Sequence, residues 1–168
     1  MDRTPAAILQ YFDQHHLPLF RFAWHLTGSV ADAEDIVQEC FLALLRPDCA
    51  FDPARTALRT YLFGAVRNQA LKRFSGREAA ADEIATATTP ERECFEAELR
   101  RAVRRAILRL PEGQREVLVL SHYEQLPPAE IAAVLEMDVG AVKSRLQRAR
   151  ATLRSLLAAY APYPQRES

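Results

Sequence analysis

Glycine is scarce, with five in 168 residues. Alanine, leucine, arginine and glutamate are plentiful, and that balance points to an all-α chain. No apolar run approaches the length needed to cross a bilayer, so no membrane association is expected. The start, Met1-Asp2-Arg3-Thr4-Pro5, lacks the basic-then-apolar pattern of a secretory signal. The expected location is therefore cytoplasmic. Cysteine is sparse. Cys40, Cys49 and Cys94 match no zinc spacing, and a reducing compartment argues against disulfides. Cys40 falls on an apolar helical face and reads as a buried thiol. His15, His16, His25 and His122 form no metal-binding pattern. There is no glycine-rich phosphate loop and no nucleophile motif. The chain offers no catalytic residue, metal site or cofactor site, and is not expected to be an enzyme.

Net charge is absent too, at zero, which looks wrong for a nucleic-acid binder until the charge is read by segment. Residues 29–46 hold four acids and one base, and residues 47–75 two acids and five bases. Residues 76–98 are strongly acidic, with seven acids against two bases. Residues 99–128 are net +3 and 129–142 net −3, and 143–157 carry five bases and no acid. Acidic and basic surfaces alternate along the chain.

Apolar periodicity predicts helices over about 6–27, from Ser29 to about Leu45, and over about 55–74. Pro18 either kinks the first or starts a second helix. Gly28 ends that stretch, and Ser29 with Asp32 resembles a capping box. Residues 76–92 read as a flexible, acidic linker, whose length spans roughly 20–25 Å on average. Further helices are predicted over about 91–109, from Pro111 to about His122, from Pro128 to Leu135 and from Val139 to Leu157. The domains are thus 1–75, the linker 76–92, a second domain 93–160 and a loose tail 161–168.

The last two helices, joined by Glu136-Met137-Asp138, have the layout of a helix-turn-helix. Val139, Val142, Leu146, Ala149, Leu153 and Leu156 form one apolar stripe. The opposite face holds Gly140, Ser144, Gln147, Arg148 and Ala151, with Lys143, Arg145, Arg150 and Arg154 on its flanks. Small or polar residues toward bases and cations toward phosphates suit a helix in a major groove. Two readings stand for Arg145: a phosphate contact, or an internal pair with Glu130.

The stretch Leu110-Pro111-Glu112-Gly113-Gln114-Arg115-Glu116-Val117-Leu118, then Glu130-Ile131-Ala132, then Gly140 through Arg150, closely resembles the C-terminal domain of sigma factors of the extracytoplasmic-function group. Asp32 through Glu39 with Phe41 resembles that family's polymerase-binding helix. Tyr61 through Asn68 resembles its promoter-melting helix. The likeness runs in order over about residues 8–157. It implies a sigma factor that directs core RNA polymerase to promoters and promotes strand opening. By the same resemblance, Asp32, Asp35, Gln38 and Glu39 dock on the clamp helices of the β′ subunit. Phe51, Arg55, Arg59, Tyr61, Arg67, Asn68, Lys72 and Arg73 take the −10 element. For Phe51 and Tyr61, core packing stands beside base stacking as an open alternative. Gly140, Lys143, Ser144, Arg145, Gln147, Arg148 and Arg150 read the −35 element, and the C-terminal domain meets the β flap. The expected partners are core polymerase, promoter DNA and an anti-sigma factor. Departures from the family pattern are Tyr61 for a frequent Trp, Lys72 for an acid, Ala141 for Thr and Glu136 for Gly. The rival reading is a free-standing helix-turn-helix regulator, which needs no acidic docking helix.

Overall fold

A computed structural model describes residues 4–74 and 92–160, and all the regular structure among them is helical. Helix α1 spans Pro5–Thr27. Thr4 caps it, its hydroxyl accepting the Ala7 N–H at 3.4 Å, and Pro5 supplies the preset φ of a first turn. The helix continues through Pro18 rather than restarting there. Pro18 leaves the Gln14 carbonyl without its partner, but Gln14 is exposed and water reaches it. Gly28 ends α1 in the left-handed region at φ 75°, its N–H returning to Trp24 O. Ser29 then caps α2, Val30–Leu45, by accepting the Asp32 N–H.

Helix α3 covers Leu58–Phe74, three residues later than the periodicity suggests. Asp52 explains the delay: its carboxylate accepts the Ala54 N–H, and its carbonyl accepts those of Arg55 and Thr56. This side-chain turn competes with helix until Leu58. Helices α1, α2 and α3 enclose Leu19, Phe22, Ile36, Leu44, Leu62, Phe63 and Val66.

Helices α4 (Arg92–Leu108), α5 (Glu112–His122), α6 (Pro128–Leu135) and α7 (Val139–Leu156) form the second half. Ile107, Leu110, Val117, Leu120, Ile131 and Val142 make its core. The linker expected at 76–92 and the tail at 161–168 lie outside the described residues, apart from Arg92.

The two halves are docked. α1 packs on α5 and α4, α3 packs on α6, and the buried apolar cluster runs through both. No sequence signal anticipates this docking, because the linked helices are far apart in the chain.

Candidate nucleic-acid interface

The turn between α6 and α7 begins at Glu136, held left-handed at φ 53° and ψ 47°. Asp138 then caps α7, its Oδ1 accepting the Ala141 N–H at 2.8 Å. A Cβ at Gly140 would sit 2.9 Å from that same oxygen, so Gly140 makes room for the cap. Val142 and Ala149 are buried against α5 and α6, and Leu146, Leu153 and Leu156 are half-buried. Val139, expected at the head of the stripe, is exposed.

The outward face is as the periodicity predicts. Gly140, Lys143, Ser144, Gln147, Arg148, Arg150, Ala151 and Arg154 are all exposed. Lys143, Gln147, Arg150 and Arg154 line a shallow open concavity with Leu146 and Ala151. Arg148 donates along its own helix, Nε to Ser144 O at 3.3 Å, and forms no ion pair among the described residues. Arg145 is half-buried. Its guanidinium lies over Gly113, where an added Cβ would stand 3.0 Å from Nη1. Its charge is felt at Glu116, and among the described residues it forms no ion pair with Glu130.

The cations assigned to the −10 element are differently placed. Arg55 and Lys72 are exposed, as is Asn68. Arg59 donates from Nη2 to Glu124 O at 3.1 Å. Arg67 donates from Nε to Glu116 Oε1 at 2.7 Å. Arg73 pairs with Glu39 on α2. Phe51 is 4% exposed, with Tyr61 against it at a ring-centroid distance of 5.0 Å. Of its two readings, core packing describes Phe51 here, and its ring offers no free face for a base. Tyr61 is half-buried and also meets Cys49 Sγ through its hydroxyl, at 3.8 Å. On α2, Asp35, Gln38 and Glu39 are exposed on one side, whereas Asp32 is half-buried at the helix start. Cys40 is buried beneath them, and desolvation pushes its thiol up to about 12.

Sequence reasoning missed the residues of the seam between the halves. Glu124 takes a two-pronged contact from Arg21, Nε to Oε1 at 3.1 Å and Nη2 to Oε2 at 2.9 Å. Arg115 donates to Leu26 O at 3.0 Å and Arg104 to Gly28 O at 3.1 Å. Arg104 also lies over the Trp24 ring, 3.8 Å from its centroid. His25 meets Tyr123 at 4.4 Å between rings. Burial, then Arg104, Arg21 and Arg115, lower the His25 imidazole to about 4, so it is neutral at ordinary pH. Glu116 is 1% exposed, and burial outweighs the help of Arg67 to hold its carboxyl above the usual range. One signal was available: Glu116 lies one turn before Leu120, on the apolar side of α5.

These features define a helical DNA-binding protein in two docked halves, the second a helix-turn-helix. Residues 11–84 match the family model of sigma-70 region 2, and residues 100–153 that of sigma-70 region 4. The chain is similar to the ECF RNA polymerase sigma factor SigL of Mycobacterium tuberculosis, 36% identical over 154 residues, 87% of this chain and 86% of that one. It is also similar to the ECF sigma factor SigW of Bacillus subtilis, 30% identical over 83% of this chain and 82% of that one. Among solved structures it resembles CnrH, in complex with the cytosolic domain of CnrY, with TM-score 0.73 and 30% identity over 94% of this chain and 92% of that one. The sigma factor RpoE of Bartonella quintana, in complex with the anti-sigma factor NepR, shares the fold at TM-score 0.68 and 23% identity. This chain belongs to the ECF group of RNA polymerase sigma factors. Its function is promoter-specific initiation of transcription by RNA polymerase.

Proposed function

We propose a division of labour within that function. The exposed acids of α2, led by Asp35 and Glu39 with Gln38 between them, dock on the β′ clamp helices. The exposed face of α7 reads the −35 element in the major groove, Arg148 toward base edges and Lys143 and Arg150 toward phosphates. Arg55, Arg59, Tyr61, Arg67, Asn68, Lys72 and Arg73 hold the unpaired −10 strand, which promotes strand opening. Phe51 supports this surface from the core. Arg145 orders the α5–α7 contact instead of meeting DNA. The protein has no chemistry of its own, works in the cytoplasm and is held in check by an anti-sigma factor.

The observation that carries this reading is α7. Its inner residues Val142 and Ala149 are buried while the outward side chains, polar and cationic, stay exposed. Two weak DNA contacts become effective once polymerase fixes both halves, because the second is then intramolecular. The test is run-off transcription by core polymerase on a promoter pool, with the wild-type chain and with Asp35→Lys/Glu39→Lys. The wild-type chain should select a −35/−10 pair. The variant should keep its helical spectrum and lose core binding. Unchanged core affinity would remove the docking role from α2.

A further inference from the structure

The positive charge of residues 99–128 belongs mostly to α4, and the functions assigned above leave most of it unused. Residues 99–109 hold Arg100, Arg101, Arg104, Arg105 and Arg109, with no acid and no lysine among them. Arg104 turns inward, to Gly28 O and the Trp24 ring. Arg100, Arg101, Arg105 and Arg109 are exposed, while Ala102, Ala106, Ile107 and Leu108 are buried. Arg101, Arg105 and Arg109 follow at intervals of four, one line that rises about 6 Å per step. The helical turn persists to Arg109, whose N–H reaches Arg105 O at 3.1 Å. Among the described residues Arg105 and Arg109 form no ion pair. The helix dipole favours a cation in the last turn, which accounts for Arg105 or Arg109 but not for an acid-free row that begins at Arg101.

We propose that this row of α4 is a second DNA-binding surface, which grips the phosphate backbone of the duplex flanking the −35 element. The inference rests on the reading of α7 given above. Arg109 lies four residues before Gly113, so no more than about 14 Å of chain separates them. Gly113 in turn meets the guanidinium of Arg145, next to the exposed Ser144, and α4 also packs on α7 directly. That separation is close to the width of one major groove, about 12 Å, so the strand bordering a groove that holds α7 is within range of the end of the row.

The side chains fit this partner. A planar guanidinium gives two parallel hydrogen bonds to phosphate oxygens, which an ammonium does not. Phosphates are alike at every base pair, so the contact adds affinity without sequence preference. An unpaired strand would call for aromatic platforms, and residues 97–109 contain none. A lipid surface would call for apolar side chains beside the cations, and none of the exposed large apolar residues lies between 97 and 109.

The experiment uses holoenzyme carrying the wild-type chain, Arg105→Gln/Arg109→Gln, or Arg148→Ala as a reference for α7. Both glutamines replace exposed residues and have nearly the helix propensity of arginine, and circular dichroism checks that the helices persist. Each holoenzyme is titrated from 50 to 200 mM salt against promoter duplex and its single-base −35 variants. The same duplex is also used with uncharged methylphosphonates in place of the phosphates flanking the −35 element. Two phosphate contacts contribute about 1.8 to the slope of log affinity against log salt. The glutamine pair should therefore bind less tightly than wild type at 50 mM, and that gap should narrow about tenfold by 200 mM. Its −35 base preference should be that of wild type. Methylphosphonates should weaken wild type more than the glutamine pair. An unchanged salt slope, or equal losses from the methylphosphonates, overturns the proposal. Weaker binding of the glutamine pair to core polymerase without DNA also overturns it, and assigns the row to an acidic protein surface. The reading of α7 is judged separately: intact base preference in Arg148→Ala removes it, whatever the glutamine pair does to the salt slope.

Discussion

Helices α3 and α7 carry similar positive charge and meet opposite circumstances. On α7, Lys143, Arg148, Arg150 and Arg154 are exposed and make no ion pair among the described residues. On α3, Arg59 and Arg67 are bound by the second half, and Arg73 by Glu39. A basic segment is therefore not yet a basic surface. Cations that end a buried pair contribute little field to an approaching polyanion, whereas exposed ones steer it. Between these two helices, the exposed, unpaired positive charge among the described residues of the docked chain is concentrated at α7, whereas three arginines of α3 are held by partners within the chain.

The largest effect that would sharpen this contrast is in stability. Arg67→Ala leaves the Glu116 carboxylate buried and unpaired, which should destabilise the docked chain by about 3–5 kcal/mol. Arg148→Ala removes only an exposed side chain and should change stability by less than about 0.5 kcal/mol. Urea unfolding of the two variants side by side measures the difference. Equal midpoints would show that α3 is no more committed than α7.

Acid should act on the seam and leave α7 alone. The docked state lowers His25 from its ordinary value of 6.5 to about 4. Above 6.5 both the docked and unfolded chains carry it neutral, and its contribution is complete. As pH falls toward 4 the unfolded chain takes up the proton first, so docked stability is lost, by about 3 kcal/mol in total. The facing charges Arg104, Arg21 and Arg115 all oppose the imidazolium. Glu116 acts in the opposite sense. Its raised carboxyl keeps a proton that the unfolded chain has released, so it favours the docked state as pH falls through its own range. The difference between wild type and His25→Phe isolates the histidine. Stability of the variant should decline less between pH 6.5 and 4, and equal slopes would place the acid response elsewhere.

A third comparison lies within α7. Arg148→Ala should cost about 1–3 kcal/mol of DNA binding and relax preference at one −35 base pair. Lys143→Ala should weaken all sequences alike, by less, and flatten the salt dependence. Titration of holoenzyme against single-base −35 variants at several salt concentrations separates the two. Uniform losses from both would mean that α7 grips only the backbone.

What the sequence made legible was local. The caps at Ser29 and Asp138, the stop at Gly28 and the span Pro128–Leu135 follow from residue chemistry within a turn or two, and the helices begin and end accordingly. The outward face of α7 follows from a 3.6-residue period. The seam was not legible, because periodicity says which face of a helix is apolar and not which other face receives it. Arg67 and Glu116 are 49 residues apart, and Arg21 and Glu124 are 103 apart. Neither acid has a local feature that names its partner. Arg145 shows the same limit from another side: its position in the chain gives no sign that its guanidinium lies beside Gly113 of α5. Gly140 also reads differently in three dimensions. Its angle sets it on the outward face, and in the folded chain a Cβ there would also meet the Asp138 cap oxygen at 2.9 Å, so a larger residue would make that carboxylate shift.

The smallest expected effect tests whether the geometry of α7 and its reading chemistry are separable. Glu136 ends α6 in the left-handed region, at φ 53°, where a Cβ crowds the following carbonyl. Its carboxylate also sits at the negative end of the α6 dipole, and its side chain is exposed. Replacing it with glycine removes both penalties. Against that gain stands the greater freedom of glycine in the unfolded chain, which recovers part of it. The net expectation for Glu136→Gly is a stabilisation of up to about 1 kcal/mol, or roughly 2–4 °C in melting temperature for a chain of this size. Glu136 is on neither the α7 face nor the seam, so −35 base preference and the small-angle scattering profile should both stay as in wild type. A lower melting temperature would mean that the Glu136 side chain makes a contact that outweighs its backbone strain. A higher melting temperature with altered base preference would mean that the turn adjusts how α7 is presented, and that α7 cannot be treated as a preset reading surface.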